Sequence, residues 1–206
     1  MTIADSLRAQ FGDIDVYLFD QLQRGRIAAS MTVLDAGCGA GRNLPFLFRA
    51  GCNVLAADER PEAIGRVREL AARLAPQLPA ANFRVEAVED LSFAPQSVDV
   101  VISCAVLHFA RDTAHFDAML ERQWSLLRPG GLFFARLASS IGIEDRVVQI
   151  SDRRYLLPDG SERFLVDEAF LLERMHTLRA TLCDPLKTTN VQNQRCMTTW
   201  VFQPTK

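Results

Sequence analysis

The sequence predicts a three-layer α/β domain, with helices on both faces of a mostly parallel, doubly wound sheet. Three observations carry that prediction. Between residues 31 and 137, short apolar and β-branched runs alternate with segments of helical period. A glycine-rich run, Val33-Leu-Asp-Ala-Gly-Cys-Gly-Ala-Gly-Arg-Asn43, directly continues the first apolar run. The last two candidate strands lie too close for a crossover helix, so the sheet ends in an antiparallel hairpin.

The elements follow in order. Met31 to Asp35 is a short buried strand. After Gly41, Leu44, Leu47 and Phe48 fall at helical spacing and Gly51 stops the helix; Pro45 lies within about the first turn, where proline is tolerated. Val54 to Ala57 is a second strand closed by Asp58. Pro61 opens a helix at a position where its missing N–H costs little, and Ile64, Val67, Leu70, Ala71 and Leu74 form its apolar stripe. Phe83 to Val88 alternates as a third strand, and Val98 to Cys104 is a fourth. A helix spans about Asp112 to Leu127, Arg128-Pro-Gly-Gly131 breaks it, and Leu132 to Leu137 is a fifth strand. A final helix runs from Asp167 to about Leu178, followed by Thr181 to Val191 and Cys196 to Gln203 as the hairpin. Pro185 marks the first of these two as an edge or irregular strand.

Length and composition set the bounds. A chain of 206 residues suits one domain, able to bury roughly 70% of its unfolded surface. With 49% hydrophobic and 23% charged residues it is globular rather than disordered. A formal net charge of −2 leaves no overall electrostatic footprint for nucleic acid, so none is expected as a partner. Residues 1–10 lack the basic segment and apolar run of a signal peptide, and no apolar stretch reaches the ~18 residues of a membrane span. Cys38, Cys52, Cys104, Cys183 and Cys196 form no C-x-x-C pair and read as reduced thiols. The expectation is a cytoplasmic protein with neither membrane contact nor a metal site.

The glycines point to a ligand that approaches the backbone. In a doubly wound sheet the ligand lies beyond the carboxyl ends of the strands, where the following helix presents free N–H groups. Asp58 closes the second strand 21 residues after Gly37, where an acidic side chain meets the ribose of a nucleoside. A dinucleotide G-x-G-x-x-G/A pattern does not fit. From Gly37 its last position falls on Arg42, and from Gly39 it falls on Leu44.

What stands instead is Asp35-x-Gly37-x-Gly39-x-Gly41, which closely resembles motif I of the class I S-adenosylmethionine-dependent methyltransferases. Ser97-Val-Asp99-Val-Val-Ile-Ser-Cys-Ala-Val-Leu-His108-Phe resembles that family's fourth-strand motif, and Leu126-Leu-Arg-Pro-Gly-Gly131 its turn into the fifth strand. In order and at these spacings the three motifs cover residues 31–137. Gly41-Arg-Asn43 and the small size are similar to the tellurite-resistance and thiopurine-type enzymes.

The resemblance implies a Rossmann-like, seven-stranded sheet of order 3-2-1-4-5-7-6 with strand 7 antiparallel. It implies one methyltransferase domain over 1–206: an N-terminal helical lid or cover (1–30), a cofactor core (31–137), and a substrate-side connection with the last helix and hairpin (138–206). S-adenosylmethionine would be the cofactor and S-adenosylhomocysteine the product. Asp35 would orient the glycine loop, with Gly37, Cys38, Gly39 and Gly41 beneath the methionine part. Asp58 would hold the ribose, and Glu59 and Arg60 would flank the adenine. Glu89, Asp90 and Leu91 would border that ring, and Cys104, Ala105 and Val106 would offer carbonyls to the cofactor's ammonium.

His108, just past the fourth strand, is the candidate base, or else a wall residue; His115 reads as a surface or boundary residue. The fourth strand ends in Ser103-Cys-Ala-Val-Leu-His108 where amine-methylating relatives resemble one another in an Asn/Asp-Pro-Pro-Tyr/Phe motif, which argues against nucleobase methylation. The expected acceptor is a small molecule, met by residues 11–26 as a lid or sheet cover and by the long connection 139–166. A monomer or homodimer is expected. A nicotinamide-dependent oxidoreductase and a non-enzymatic cofactor-binding sensor are the alternatives.

Overall fold

The computed structural model describes residues 2–205. The chain begins with two helices, α1 (Ile3–Phe11) and α2 (Val16–Gln23). The alternating frame follows: β1 (Thr32–Ala36), α3 (Leu44–Ala50), β2 (Asn53–Asp58), α4 (Pro61–Leu74), β3 (Phe83–Val85), β4 (Val98–Cys104), α5 (Thr113–Ser125) and β5 (Leu127–Ser139). An insert of three short strands comes next, β6 (Val148–Ser151), β7 (Arg154–Leu156) and β8 (Glu162–Phe164). The chain closes with α6 (Glu168–Thr177), β9 (Ala180–Leu182), β10 (Lys187–Val191) and β11 (Arg195–Pro204).

The main sheet runs β10-β11-β5-β4-β1-β2-β3, with β9 also beside β11. Strands β1 to β5 pair in parallel. β11 runs antiparallel to β5, β9 and β10. This is the expected order 3-2-1-4-5-7-6, with β11 in the seventh place and the sixth strand split in two. Pro185 lies in the split: with no N–H to give, it cannot continue the ladder, so the edge resumes at Lys187 opposite Thr199.

Period-two alternation divides each central strand between two cores. Val33, Val100, Ile102 and Phe134 face α2, α3 and α4, where Leu18, Phe48, Ile64 and Val67 are buried. Leu34, Val101, Phe133, Trp200 and Phe202 face α5 and α6, where Phe116, Leu120, Phe170 and Leu171 are buried. The helix starts follow from their caps. Asp112 accepts from His115 N–H ahead of α5, Asp167 from Phe170 N–H ahead of α6, and Gly51 ends α3 in the left-handed conformation.

Three sequence expectations need correction. The third strand stops at Val85 rather than Val88. It is an edge strand whose only neighbour among the described residues, β2, ends at Asp58, so Val88–Asp90 turns as a short 3₁₀ segment and buries Val88 instead. Arg128-Pro-Gly-Gly131 does not precede the fifth strand but forms a bulged start to it. Leu127 pairs with Val98 and Leu132 with Val100, and a Cβ on Gly131 would stand 2.9 Å from the Asp99 carbonyl. Between 139 and 166, the sequence left unassigned what folds as the antiparallel β6-β7-β8 sheet.

The N-terminal segment covers the sheet. Leu18 is fully buried, Tyr17 Oη lies 2.7 Å from Thr189 Oγ1, and the Arg26 guanidinium clasps Asp184 beside β9 at 2.6 Å. No residue of α1 is buried.

Candidate functional site

The loop after β1 takes its shape from its glycines. Gly37, Gly39 and Gly41 all have positive φ (72°, 54° and 79°), a conformation that costs other residues roughly 1–2 kcal/mol. The close approaches are to protein. A Cβ on Gly37 would lie 2.6 Å from Val106 Cγ2, and one on Gly41 would lie 3.1 Å from Val67 Cγ2; Gly39 has no atom nearer than Arg60 Nη2 at 3.8 Å. The turn is tied to the end of β2, because Gly37 and Cys38 N–H both donate to the Ala57 carbonyl, at 2.8 and 2.9 Å.

Asp58 is the organising charge. Buried at the end of β2, it accepts the Gly39 amide at 2.8 Å, the Arg60 amide at 3.1 Å and Arg60 Nε at 3.0 Å. The family resemblance implies that Asp35 orients the loop; the direct bond to the loop amide comes from Asp58. Asp35 is buried below, with Oδ2 unpartnered among the described residues. Burial pushes its carboxyl up to about 7, and the Asp58 charge adds to the rise against the opposing pull of Arg42.

A cleft of about 450 Å³ opens over these residues, lined by Gly37, Asp58, Glu59, Arg60, Ala87, Val88, Glu89, Ala105, Val106, Phe109, Arg111, His115 and Met119. It thus gathers Gly37, Asp58, Glu59, Arg60, Glu89, Ala105 and Val106 from the sequence-predicted set. Cys38, Gly39, Gly41, Asp90, Leu91 and Cys104 do not line it. Leu91 is buried in the core beneath, and Asp90 faces solvent. Ala105 holds φ 63°, with its N–H on the Arg136 carbonyl at 2.7 Å, a strained backbone at the end of β4. Burial raises the Cys38 thiol and pushes the Cys104 thiol up to about 12, so neither is a nucleophile at neutral pH.

Beside the loop, the second polar cluster is closed. Buried Asp15, at the N-cap of α2, accepts from Arg136 Nη1 at 3.0 Å and lies 3.7 Å from Arg42 Nη2. The Cys104 thiol points at the same carboxylate from 3.7 Å.

His108 lies behind the cleft. It is 5% exposed and outside the cleft lining, and its Nδ1 accepts the Ala138 amide at 3.1 Å, which leaves the ring proton on Nε2. Burial, helped by the nearby Arg163 charge, lowers its pKa to about 4. The next residue, Phe109, is the one that faces the cleft.

His115 is the residue that sequence reasoning missed. Its Nε2 lies 2.8 Å from Glu89 Oε1 and its Nδ1 accepts the Arg111 amide at 3.1 Å. Against the cost of burial, a backbone hydrogen bond, then the hydrogen bond from His115 and the charges of His115 and Arg111, hold the Glu89 carboxyl below its ordinary range. No local signal marks this pairing, since it joins β3's exit to α5 across 26 residues. Among the described residues no group of three or more His, Cys, Asp or Glu is placed to hold a metal ion. No described helix is long and apolar enough to cross a membrane.

The sheet order, the glycine turn and the acidic end of β2 define the class I methyltransferase fold. Residues 33–131 match the methyltransferase domain family. Among curated relatives, the ubiquinone biosynthesis O-methyltransferase of Methylocella silvestris is 35% identical over 105 residues, 51% of this chain and 39% of that protein. An uncharacterized methyltransferase of Synechocystis is 30% identical over 117 residues, 56% and 51% of the two chains. The chain therefore spans about half, or less, of the length of the curated relatives it matches. Among solved structures, a SAM-dependent methyltransferase from Methanosarcina mazei superposes with a TM-score of 0.71 at 21% identity, over 89% of this chain and 96% of that one. The 1,6-didemethyltoxoflavin-N1-methyltransferase of Burkholderia thailandensis, solved with bound 1,6-didemethyltoxoflavin and S-adenosylhomocysteine, gives a TM-score of 0.69 at 21% identity over 98% of this chain and 87% of that one. At such identities the likeness is one of fold.

Proposed function

We propose that this protein transfers the methyl group of S-adenosylmethionine to a small-molecule acceptor. The observation that carries the reading is the cleft, which joins the glycine turn at Gly37, the buried carboxylate of Asp58 and the strained end of β4 around one space. Its size, about 450 Å³, falls within the range of small-ligand sites, roughly 300–1,000 Å³.

The residues fit the cofactor. A carboxylate offers about four acceptor sites; Asp58 uses three, two of them on Arg60, whose side chain is 58% exposed and free to swing aside. Capacity for ribose hydroxyls therefore remains. Glu89 spends Oε1 on His115, which leaves Oε2 for the amino edge of adenine. Gly37, Ala105 and Val106 would flank the methionine part.

When bound, the cofactor supplies a methyl group already activated by its sulfonium. The chain's share is to orient and to exclude water, and orientation alone supplies about 7–11 kcal/mol. His108 is assigned to positioning: its Nδ1 lone pair binds the Ala138 amide, and that bond holds the Leu107–Phe109 turn against β5. With that lone pair taken, the reading suits an acceptor that is nucleophilic or ionised before transfer, its proton passing to solvent through the open cleft. A cytoplasmic setting suits five cysteines that are all thiols.

A thermal-shift experiment tests the cofactor class. S-adenosylhomocysteine at about 100 times its Kd should stabilise the fold by about 2.7 kcal/mol, a Tm rise of roughly 5–10 °C, while NADH and NADPH leave Tm unchanged. A rise with NADPH alone would overturn the methyltransferase reading.

A further inference from the structure

The geometry points to an acceptor subsite, formed by Phe109 and Arg163, that takes a planar, anionic molecule. It rests on the methyltransferase reading and adds the chemical class of the acceptor.

Phe109 is 55% exposed, yet it is no isolated surface residue: its ring forms part of the cleft wall, beside Val106 and Met119. An aromatic ring open to a cleft offers a stacking partner, with pairs worth about 0.5–1.5 kcal/mol beyond area burial. The ring is held in place by its surroundings. His108 packs edge-on at 4.5 Å between centroids, and His108 is itself pinned through Nδ1 to β5.

The Arg163 guanidinium lies 5.0 Å from the centre of the Phe109 ring, brought there by β8 of the insert. Its hydrogen bond among the described residues goes to the neighbouring Glu162 carbonyl, at 2.6 Å, not to a carboxylate. The Asp159 carboxylate feels its charge only from farther off, behind a stronger bond to Ser161. Planar guanidinium groups favour carboxylates and other planar anions, which they meet with two parallel donors. The Arg111 guanidinium lines the cleft itself, with its side chain 72% exposed, 3.9 Å from Glu89.

The insert is fastened to this wall at independent points. Asp152, in the β6–β7 turn, accepts from the Thr113 amide at 2.6 Å and from its hydroxyl at 2.7 Å; Phe164 of β8 stacks on Phe116 at 5.0 Å. Arg163 is thus held beside the Phe109 ring, next to rather than within the cleft lining. The nucleoside candidates Asp58, Glu59 and Arg60 come from β2 and its exit, whereas Phe109, Arg111 and Arg163 come from the exit of β4 and from the insert. Ala105 and Val106, also at the exit of β4, are assigned to the cofactor, and Arg111 faces Glu89; Phe109 and Arg163 are the residues with no cofactor role.

Calorimetry on protein saturated with S-adenosylhomocysteine tests this with three probes: 3,4-dihydroxybenzoate (planar, anionic), 3,4-dihydroxybenzamide (planar, neutral) and cyclohexanecarboxylate (anionic, not planar). The benzoate should bind at least tenfold tighter than either of the others. Arg163→Gln should erase the preference for the acid over the amide, and Phe109→Ala the preference for the planar acid over the saturated one. Neither should move the Kd of S-adenosylhomocysteine more than about threefold. Equal binding of acid and amide, a preference that survives Arg163→Gln, or no binding of any probe would each overturn the subsite. Wild-type protein that binds no S-adenosylhomocysteine would instead remove the methyltransferase reading beneath it.

Discussion

Along β1 every residue after Thr32 is buried, and Val33 and Leu34 serve opposite cores; along β6 all four residues are exposed, with Val148 at 62% and Ile150 at 51%. Strands of similar length in one chain are thus held by different forces. In the frame from 31 to 137 burial on both faces does the holding, and the site is a by-product of how the strand ends are capped. In the insert, β8 is anchored by buried Phe164 against Phe116, while the exposed β6 side depends on directed contacts such as Asp152 on Thr113 and, from β7, Arg154 on the Ala110 carbonyl at 3.4 Å. The lesson is that β1, buried on both faces, tolerates little change in shape, whereas β6 can be altered one contact at a time.

The largest expected effect tests that contrast directly. Leu34→Ala, at a fully buried position, should cost about 2–5 kcal/mol by chemical denaturation, whereas Val148→Thr should stay within about 0.5 kcal/mol. Comparable losses at the two sites would break the contrast.

His108 joins the two regions and should show itself through pH. Its folded pKa, about 4, lies below the ordinary 6.5, so between those values the unfolded chain binds the proton and the folded one does not. Stability due to this group is therefore present above pH 6.5 and lost as pH falls toward 4, by about 3 kcal/mol in all. The raised carboxyl of Asp35 acts in the opposite sense over part of that range, so the wild-type curve alone understates the slope. The quantity to measure is the stability difference between wild type and His108→Gln, which should grow as pH rises from 4 to 6.5; a flat difference would contradict the buried, neutral imidazole.

A smaller effect sharpens the cofactor side. Asp58→Ala removes the acceptor for the Gly39 amide as well as the expected ribose contacts, and charge-assisted bonds of this kind are worth roughly 1.5–3 kcal/mol each. Affinity for S-adenosylhomocysteine should fall at least tenfold by calorimetry, with far-ultraviolet circular dichroism unchanged. Undiminished affinity would remove Asp58 from the site.

Much of the frame was legible because its signals are local. Pro61 opens α4, Gly51 closes α3, and Val98–Cys104 is observed with the bounds its apolar run predicts. The errors lie where a neighbour decides. β3 ends early because β2 gives it nothing further to pair with, and β5 begins early because Val98 offers Leu127 a partner across a bulge.

The candidate site divides in the same way. Gly37 and Asp58 were visible as a glycine turn and an acid at a strand end, since the residue type and the break in periodicity coincide there. His115 was not, because a histidine on a helix carries no mark of the glutamate 26 residues earlier that it meets at 2.8 Å. Nor could residue types show that His108 Nδ1 is occupied by the Ala138 amide, 30 residues away.

By itself, then, the sequence determined the alternating frame, the glycine turn and the acid at the end of β2. Periodicity, caps and turn residues act over a few positions and are written in consecutive letters. Only the tertiary structure decided which side chains share the cleft, that Asp58 rather than Asp35 holds the loop amide, and that an arginine from the insert rests on Phe109. Those outcomes depend on contacts between residues far apart in the chain, which exist only once the sheet has brought its strand ends to one edge.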